Sequence, residues 1–161
     1  MRSILLASSF ALLAGQGHAL SCIRPDPIAT FKQLAVAPEN YFVLYGEMTF
    51  DEGLLPPAVS DLPVAAPDPI PAQFRGKGLT RQGFTSDYIS PVMLEIGCAG
   101  PWCGSARSGG DAIYFVEAKD PPVTMVAGAC GGRIFTDPSQ AMLDMLVSCM
   151  QGGPCSSQPL Q

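Results

Sequence analysis

Six cysteines, Cys22, Cys98, Cys103, Cys130, Cys149 and Cys155, constrain this 161-residue chain more than any other feature. An even number of cysteines in an exported chain reads as a disulfide framework, although sequence alone leaves fifteen possible pairings of six. Two local pairs suggest themselves. Cys98-Ala-Gly-Pro-Trp-Cys103 closes a tight loop through Gly100 and Pro101, and Cys149 with Cys155 staples a helix end across Gly152, Gly153 and Pro154. Cys22 is then left with Cys130, a tie from the N-terminal region to a late strand. Closing so long a loop contributes about 3–5 kcal/mol in the chain-entropy model. The rival readings are a thiolate zinc site and a redox pair. Neither has Cys-x-x-Cys spacing here, and thiolates oxidise outside the cytoplasm. No metal and no cofactor is therefore expected.

The export expectation comes from residues 1–19. Arg2 supplies a positive n-region, Ile4 to Ala14 an apolar h-region broken only by Ser8 and Ser9, and small residues follow at signal-peptidase spacing. The run is too short to span a bilayer, which needs about 20 apolar residues, and no later run is long enough either. Two cuts fit. One after Ala19 leaves Leu20 first; one after Ser21 leaves Cys22 first. The second loosely resembles a bacterial lipoprotein box, whose cysteine carries lipid, but Ala19 stands where leucine is expected. The cut after Ala19 is the simpler reading, and a lipid anchor at Cys22 is the alternative. Localisation is expected to be periplasmic or extracellular.

About 140 residues remain, the size of one domain, so residues 20–161 are read as a single unit with a flexible tail at 156–161. Without Arg2 the 14 acids face eight bases, a net charge of −6. That argues against binding to nucleic acid or an anionic membrane, which needs basic patches. The single histidine, His18, lies in the signal. A chain without imidazole cannot build a Ser-His-Asp triad, a Cys-His dyad or a His-ligated metal site. No catalytic residue is assigned, and the chain is expected not to be an enzyme.

Periodicity places the elements. Asp26 caps a short helix opened by Pro27, with Ile28, Phe31, Leu34 and Ala35 on one face and Pro38 as the stop. Tyr41 to Phe50 alternates as a strand, with Phe42, Leu44, Met48 and Phe50 on one face and Gly46 marking a bend there. Residues 51–71 are rich in proline, and their charges (Asp51, Glu52, Asp61 and Asp68) are all acidic. They read as a solvated, mobile excursion without calcium-loop spacing. Further strands are expected at Ala72–Thr80, Ser90–Cys98, Gly110–Lys119 and Pro122–Cys130, the last two joined by a hairpin-type Asp120-Pro121-Pro122 connection. On the fourth, Ala112, Tyr114, Val116 and Ala118 share one face, and Ile113, Phe115 and Glu117 the other. A closing helix is capped by Asp137, with Pro138 first and an apolar stripe of Met142, Met145, Leu146, Cys149 and Met150. Five short strands with two helices suggest a mainly β chain folded as a small, partly open OB-type barrel.

Little in the chain carries chemistry. Gly104–Gly110 and Gly128–Arg133 are glycine-rich but lack the Gly-Lys-Ser/Thr of a phosphate loop, so they read as turns. Glu95 and Glu117 are carboxylates on strands that nothing pairs. Trp102, the only tryptophan, lies between Cys98 and Cys103. It either anchors a partner or packs over the disulfide and core.

One pattern is familiar as a whole. A cysteine follows the signal, then a short helix, the strand YFVLYGEMTF, the segment WCGSARSGGDAIYFVEA, and a strand ending in GAC. This resembles netrin-like modules, the OB-type barrels of tissue inhibitors of metalloproteinases and related exported proteins. Cys103-Gly104, Gly110, Tyr114-Phe115-Val116 and Cys130 match the family's motif, and the likeness covers roughly residues 22–135. The resemblance implies a bond from the N-terminal cysteine back to a strand-end cysteine, and leaves either Cys103 or Cys130 as the partner of Cys22. In the inhibitors a terminal cysteine binds a protease's zinc through its amine and carbonyl. That role would fall on Cys22, although Ile23 and Arg24 replace the small polar residue and second cysteine of the inhibitors' Cys-x-Cys. The absence of any Asn-x-Ser/Thr site fits a bacterial exported protein. The functional expectation is a binding module for a protein partner, with the inhibitor and the lipid-anchored envelope protein as alternatives.

Overall fold

A computed structural model describes residues 22–156. The signal stretch, both cut sites, His18 and the tail beyond Ser156 lie outside the described residues. Helix α1 (Pro27–Leu34) is followed by β1 (Tyr41–Phe50), β2 (Ile70–Thr80), β3 (Gly83–Ile96), β4 (Cys98–Ala99), β5 (Trp102–Cys103), β6 (Asp111–Glu117), β7 (Val123–Ala127), β8 (Ile134–Thr136) and α2 (Gln140–Met150). Six strands form one curled half-barrel sheet in the order β7-β3-β2-β1-β6-β8, and β4 pairs with β5 in a separate two-stranded ladder. The main sheet has six strands rather than five, because Ile134–Thr136 adds an edge to β6.

The helix ends follow local chemistry. Asp26 Oδ1 accepts from the Ala29 amide at 2.7 Å, and α1 stops at Leu34. Ala35 is exposed rather than on the buried face. The cap of α2 is Ser139, not Asp137: its side chain accepts from the Met142 amide. Asp137 instead has a φ of 51°, a left-handed turn that brings the chain out of β8. The buried stripe of α2 accordingly centres on Leu143 and Leu146.

Two apolar clusters use the two faces of β1 and β6. One face carries Leu44, Met48, Ala112, Tyr114 and Val116, packed with Phe74, Leu94, Ile96 and Met125. The other carries Val43, Ile113 and Phe115, covered by Ile28 and Leu34 of α1 and Leu143 and Leu146 of α2. Ala118 falls outside both and is exposed. Where β1 crosses β2, Gly46 stands opposite Gly76, and a side chain at Gly46 would come within 2.5 Å of the Gly76 Cα. The two glycines let the backbones meet at the bend, which a Cβ on either would prevent.

Two connections differ from the sequence expectation. Asp120-Pro121-Pro122, with a cis Pro121–Pro122 bond, is not a hairpin. It carries the chain across to β7, which lies parallel to Val92–Ile96 of β3. Strand β3 begins at Gly83 rather than Ser90, because Ser86, Asp87 and Tyr88 pair with the Gly76–Gly78 end of β2. The segment 51–69 is not a free excursion. The Ser60 amide donates to the Pro101 carbonyl at 2.9 Å, Val64 to Gly100 at 3.0 Å, and Cys103 to Ala58 at 3.0 Å. Leu55 and Val64 pack against the core. Proline blocks a strand there, but isolated amides and two aliphatic side chains suffice to dock the loop.

Tyr114 is the core's one deeply placed titratable group, 2 % exposed. Burial pushes its phenol up to about 12 from an ordinary 10.0, with Asp111 and Glu47 adding to the rise and the Met48 amide opposing it. A raised folded-state value means that the neutral phenol's contribution is complete below pH 10.0 and is lost as pH climbs from there to about 12. The expected loss across that window is about 3 kcal/mol. Urea midpoints measured through this range should fall steeply for the native chain and much less for Tyr114→Phe. Parallel curves would show that another group titrates.

Candidate functional site

The structure joins Cys22 to Cys130, Cys98 to Cys103 and Cys149 to Cys155, and among the described residues no cysteine is free. Three disulfides suggest an oxidising, exported environment. Because the Cys22 sulfur is bonded to Cys130, a thioether lipid there would require breaking that bond.

Trp102 sits on β5, half-buried, directly across from Ala99 in the ladder that the Cys98–Cys103 bond clamps. On its other side it bridges Val59 of the 51–69 loop. The Trp102 turn is therefore the anchor for that loop. Two residues past Trp102, Gly104 is buried with its Cα against the Ala127 carbonyl, where no Cβ fits. Its amide donates to Gly97 at 2.8 Å, and the Gly97 amide donates to Ala127 at 2.9 Å. These bonds fix the Trp102 turn to the end of β7.

The docked loop leaves large apolar side chains in solvent. Leu54, Val59 and Leu62 are 52, 65 and 72 % exposed. Asp51, Glu52, Asp61 and Asp68 are exposed along the same segment. Two of these acids also shape it: Asp51 accepts from the Gly53 amide at 2.9 Å, and Glu52 from the Ser108 amide at 2.7 Å. The result is an ordered loop, apolar at several points and acidic around them. Neither the exposure nor the order of these leucines is readable from sequence, where a proline-rich stretch looks merely solvated.

A hollow of about 510 Å³ runs between α2 and the β2–β3 turn. Phe84, Leu143 and Val147 supply apolar walls. Several of its polar side chains are engaged with neighbours: Lys77 with Asp87, Gln140 with Asp144, Gln151 with the Arg81 carbonyl and Ser148 with the Pro154 carbonyl. At its edge the Tyr45 hydroxyl donates to Asp111 at 3.0 Å. Burial, then that bond, holds the Tyr45 phenol above its ordinary range.

The remaining sequence candidates are placed apart from both surfaces. Glu95 is exposed on β3, and Glu117, at the end of β6, pairs with Lys119 at 2.9 Å. The Gly128–Arg133 run makes a turn, where the Gly131 amide donates to Gly128 at 2.8 Å, whereas Gly104–Gly110 is an irregular connection whose Gly109 amide donates to Met48 at 2.8 Å. Arg133 leaves the first turn to stack over Tyr41 at 4.7 Å. Among the described residues no cluster of three or more His, Cys, Asp or Glu could hold a metal ion, and no helix is long and apolar enough to cross a membrane.

Set against known proteins, the chain matches no family model, no curated protein and no solved structure.

Proposed function

We propose that this chain is an exported binding module, an OB-type barrel of the netrin-like kind, that engages a protein partner through the 51–69 loop and the Trp102 turn. The strand order supports the barrel reading. Strands β1, β2 and β3 form a meander, β6 returns to the free side of β1, and β7 lies parallel to β3. Strands β6 and β7 then approach each other, as in a partly open Greek-key barrel. The observation that carries the functional reading is the exposure of Leu54, Val59 and Leu62 on a loop docked by backbone hydrogen bonds. An ordered loop that keeps leucines in water gains by covering them with a partner. The surrounding acids select a partner surface that is apolar with a basic rim.

A photo-cross-linking residue at Leu62 tests this in the exporting cell. Adducts of one size at Leu62 and Val59, absent at Val36 (84 % exposed but remote in sequence, after α1), are the expected result. Equal labelling at Val36, or hydrolytic or redox turnover by the purified chain, would overturn it. One observation favours a second reading, the protease inhibitor acting through Cys22. Cys22 is exposed, with Ile23 90 % exposed beside it, and is held in place by Cys130. Intact mass with N-terminal sequencing separates the two, since a chain starting at Leu20 has no free Cys22 amine.

A further inference from the structure

Strand β3 has two unlike halves. Val92–Leu94 is enclosed between β2 and β7, whereas among the described residues Gly83–Pro91 pairs with β2 alone. A bulge where Gly78 and Leu79 face Ser86 and Phe84 interrupts the ladder at Thr85. The regular open edge is therefore residues 86–91. Tyr88 points inward, its ring 5.9 Å from those of Phe42 and Phe74. Asp87 and Ile89 alternate with it onto the opposite face, where Ile89 is 71 % exposed beside a hollow of about 410 Å³ shared with Glu47, Gln73 and Arg75. An open edge is a template for another strand.

We propose that this edge receives an extended segment of a partner protein by strand addition, and that the segment carries an aliphatic residue opposite Ile89 and a basic residue opposite Asp87. The charge pattern sets the chemistry. Lys77 and Asp87 are cross-strand neighbours at 3.0 Å, so a cation on the far side of Asp87 completes an alternating row. The same pattern disfavours a second copy of this chain. Antiparallel self-pairing centred on Asp87 sets two carboxylates opposite each other, and pairing centred on Tyr88 sets Asp87 against Ile89. Pairing centred on Ile89 brings the second copy's Ser86 to Val92, whose side β7 already occupies. The chain's acidic balance adds a general attraction for a basic segment. This proposal does not depend on the 51–69 loop.

The probe is the capped peptide Ser-Thr-Val-Thr-Lys-Thr, which in antiparallel register sets valine opposite Ile89 and lysine opposite Asp87. Hydrogen exchange should slow at those amides of 86–90 that face away from β2 as peptide is added to the whole chain. Replacing the peptide's lysine with glutamate should weaken binding about fivefold, the upper end for a cross-strand charge pair. Asp87→Lys should reverse the preference, and Asp87→Asn should abolish it; Asp87 is 81 % exposed, so both variants keep the fold. Unchanged exchange at millimolar peptide, indifference to the sign of the charge, or a free chain already dimerised through these amides would each overturn the proposal.

Discussion

Replacing Cys22 and Cys130 together with serine is expected to cost about 5 kcal/mol, the largest effect of any single cross-link in the chain. The reason lies in the unfolded state. The bond closes a loop of 108 residues, whereas Cys98–Cys103 and Cys149–Cys155 span only 5 and 6. In the chain-entropy model each short loop contributes about 2 kcal/mol. The long bond also pins the segment ahead of α1 to the turn after β7, and α1 covers Val43 and Phe115. With a urea slope of about 2 kcal/mol per molar, the midpoint should fall by about 2.5 M for the Cys22/Cys130 pair and by about 1 M for the Cys98/Cys103 pair. The double serine variants, unfolded side by side, provide the check. Equal losses would mean that local strain relief, not loop closure, decides the disulfide contributions.

Truncating Phe74 to alanine is the second large effect, expected at about 4 kcal/mol. Phe74 is 1 % exposed, at the centre of the sheet, with its ring 5.3 Å from that of Tyr114 and 5.9 Å from that of Tyr88. Removing the ring forfeits its own burial and both ring contacts, and the neighbouring strands cannot collapse into the space because Gly46 and Gly76 already hold β1 and β2 together. Ile89→Ala, on the same sheet but 71 % exposed, should stay within about 0.5 kcal/mol. Thermal or urea unfolding of the two variants tests the contrast. A Phe74→Ala chain as stable as Ile89→Ala would show that the first apolar cluster does not bear on stability as its burial implies.

Both effects start from features that the sequence displays. The alternation along Tyr41–Phe50 and Ala112–Val116 identifies which side chains face which cluster, because a strand's side-chain period of two leaves no freedom once one face is apolar. Asp26-Pro27 likewise opens α1 where it reads as opening, since a carboxylate cap and a proline without an amide satisfy the first turn locally. The α2 start was less legible. In Thr136-Asp137-Pro138-Ser139 two residues can cap, and the left-handed turn at Asp137, set by where β8 ends, gives the role to Ser139.

The surfaces proposed for binding were the least legible part. Trp102 stands out as a lone tryptophan, but Val59, the loop residue it bridges, lies more than forty positions earlier in the chain, so no local pattern ties them. Most of the open edge of β3, residues 86–89, falls between the strands expected from sequence and becomes strand only because β2 offers a ladder to pair with.

Sequence by itself determined the cross-linked, mainly β character of this protein, the two-sided alternation of its central strands, the start of its first helix and its acidic balance. Each of these rests on interactions between residues near in the chain or on composition. Tertiary structure alone decided that β7 runs parallel to β3, that β8 extends the sheet, that the proline-rich loop is docked, and that residues 86–91 keep a free edge. Those outcomes depend on which distant backbone satisfies which amide, and that is settled only when the whole sheet closes on its core.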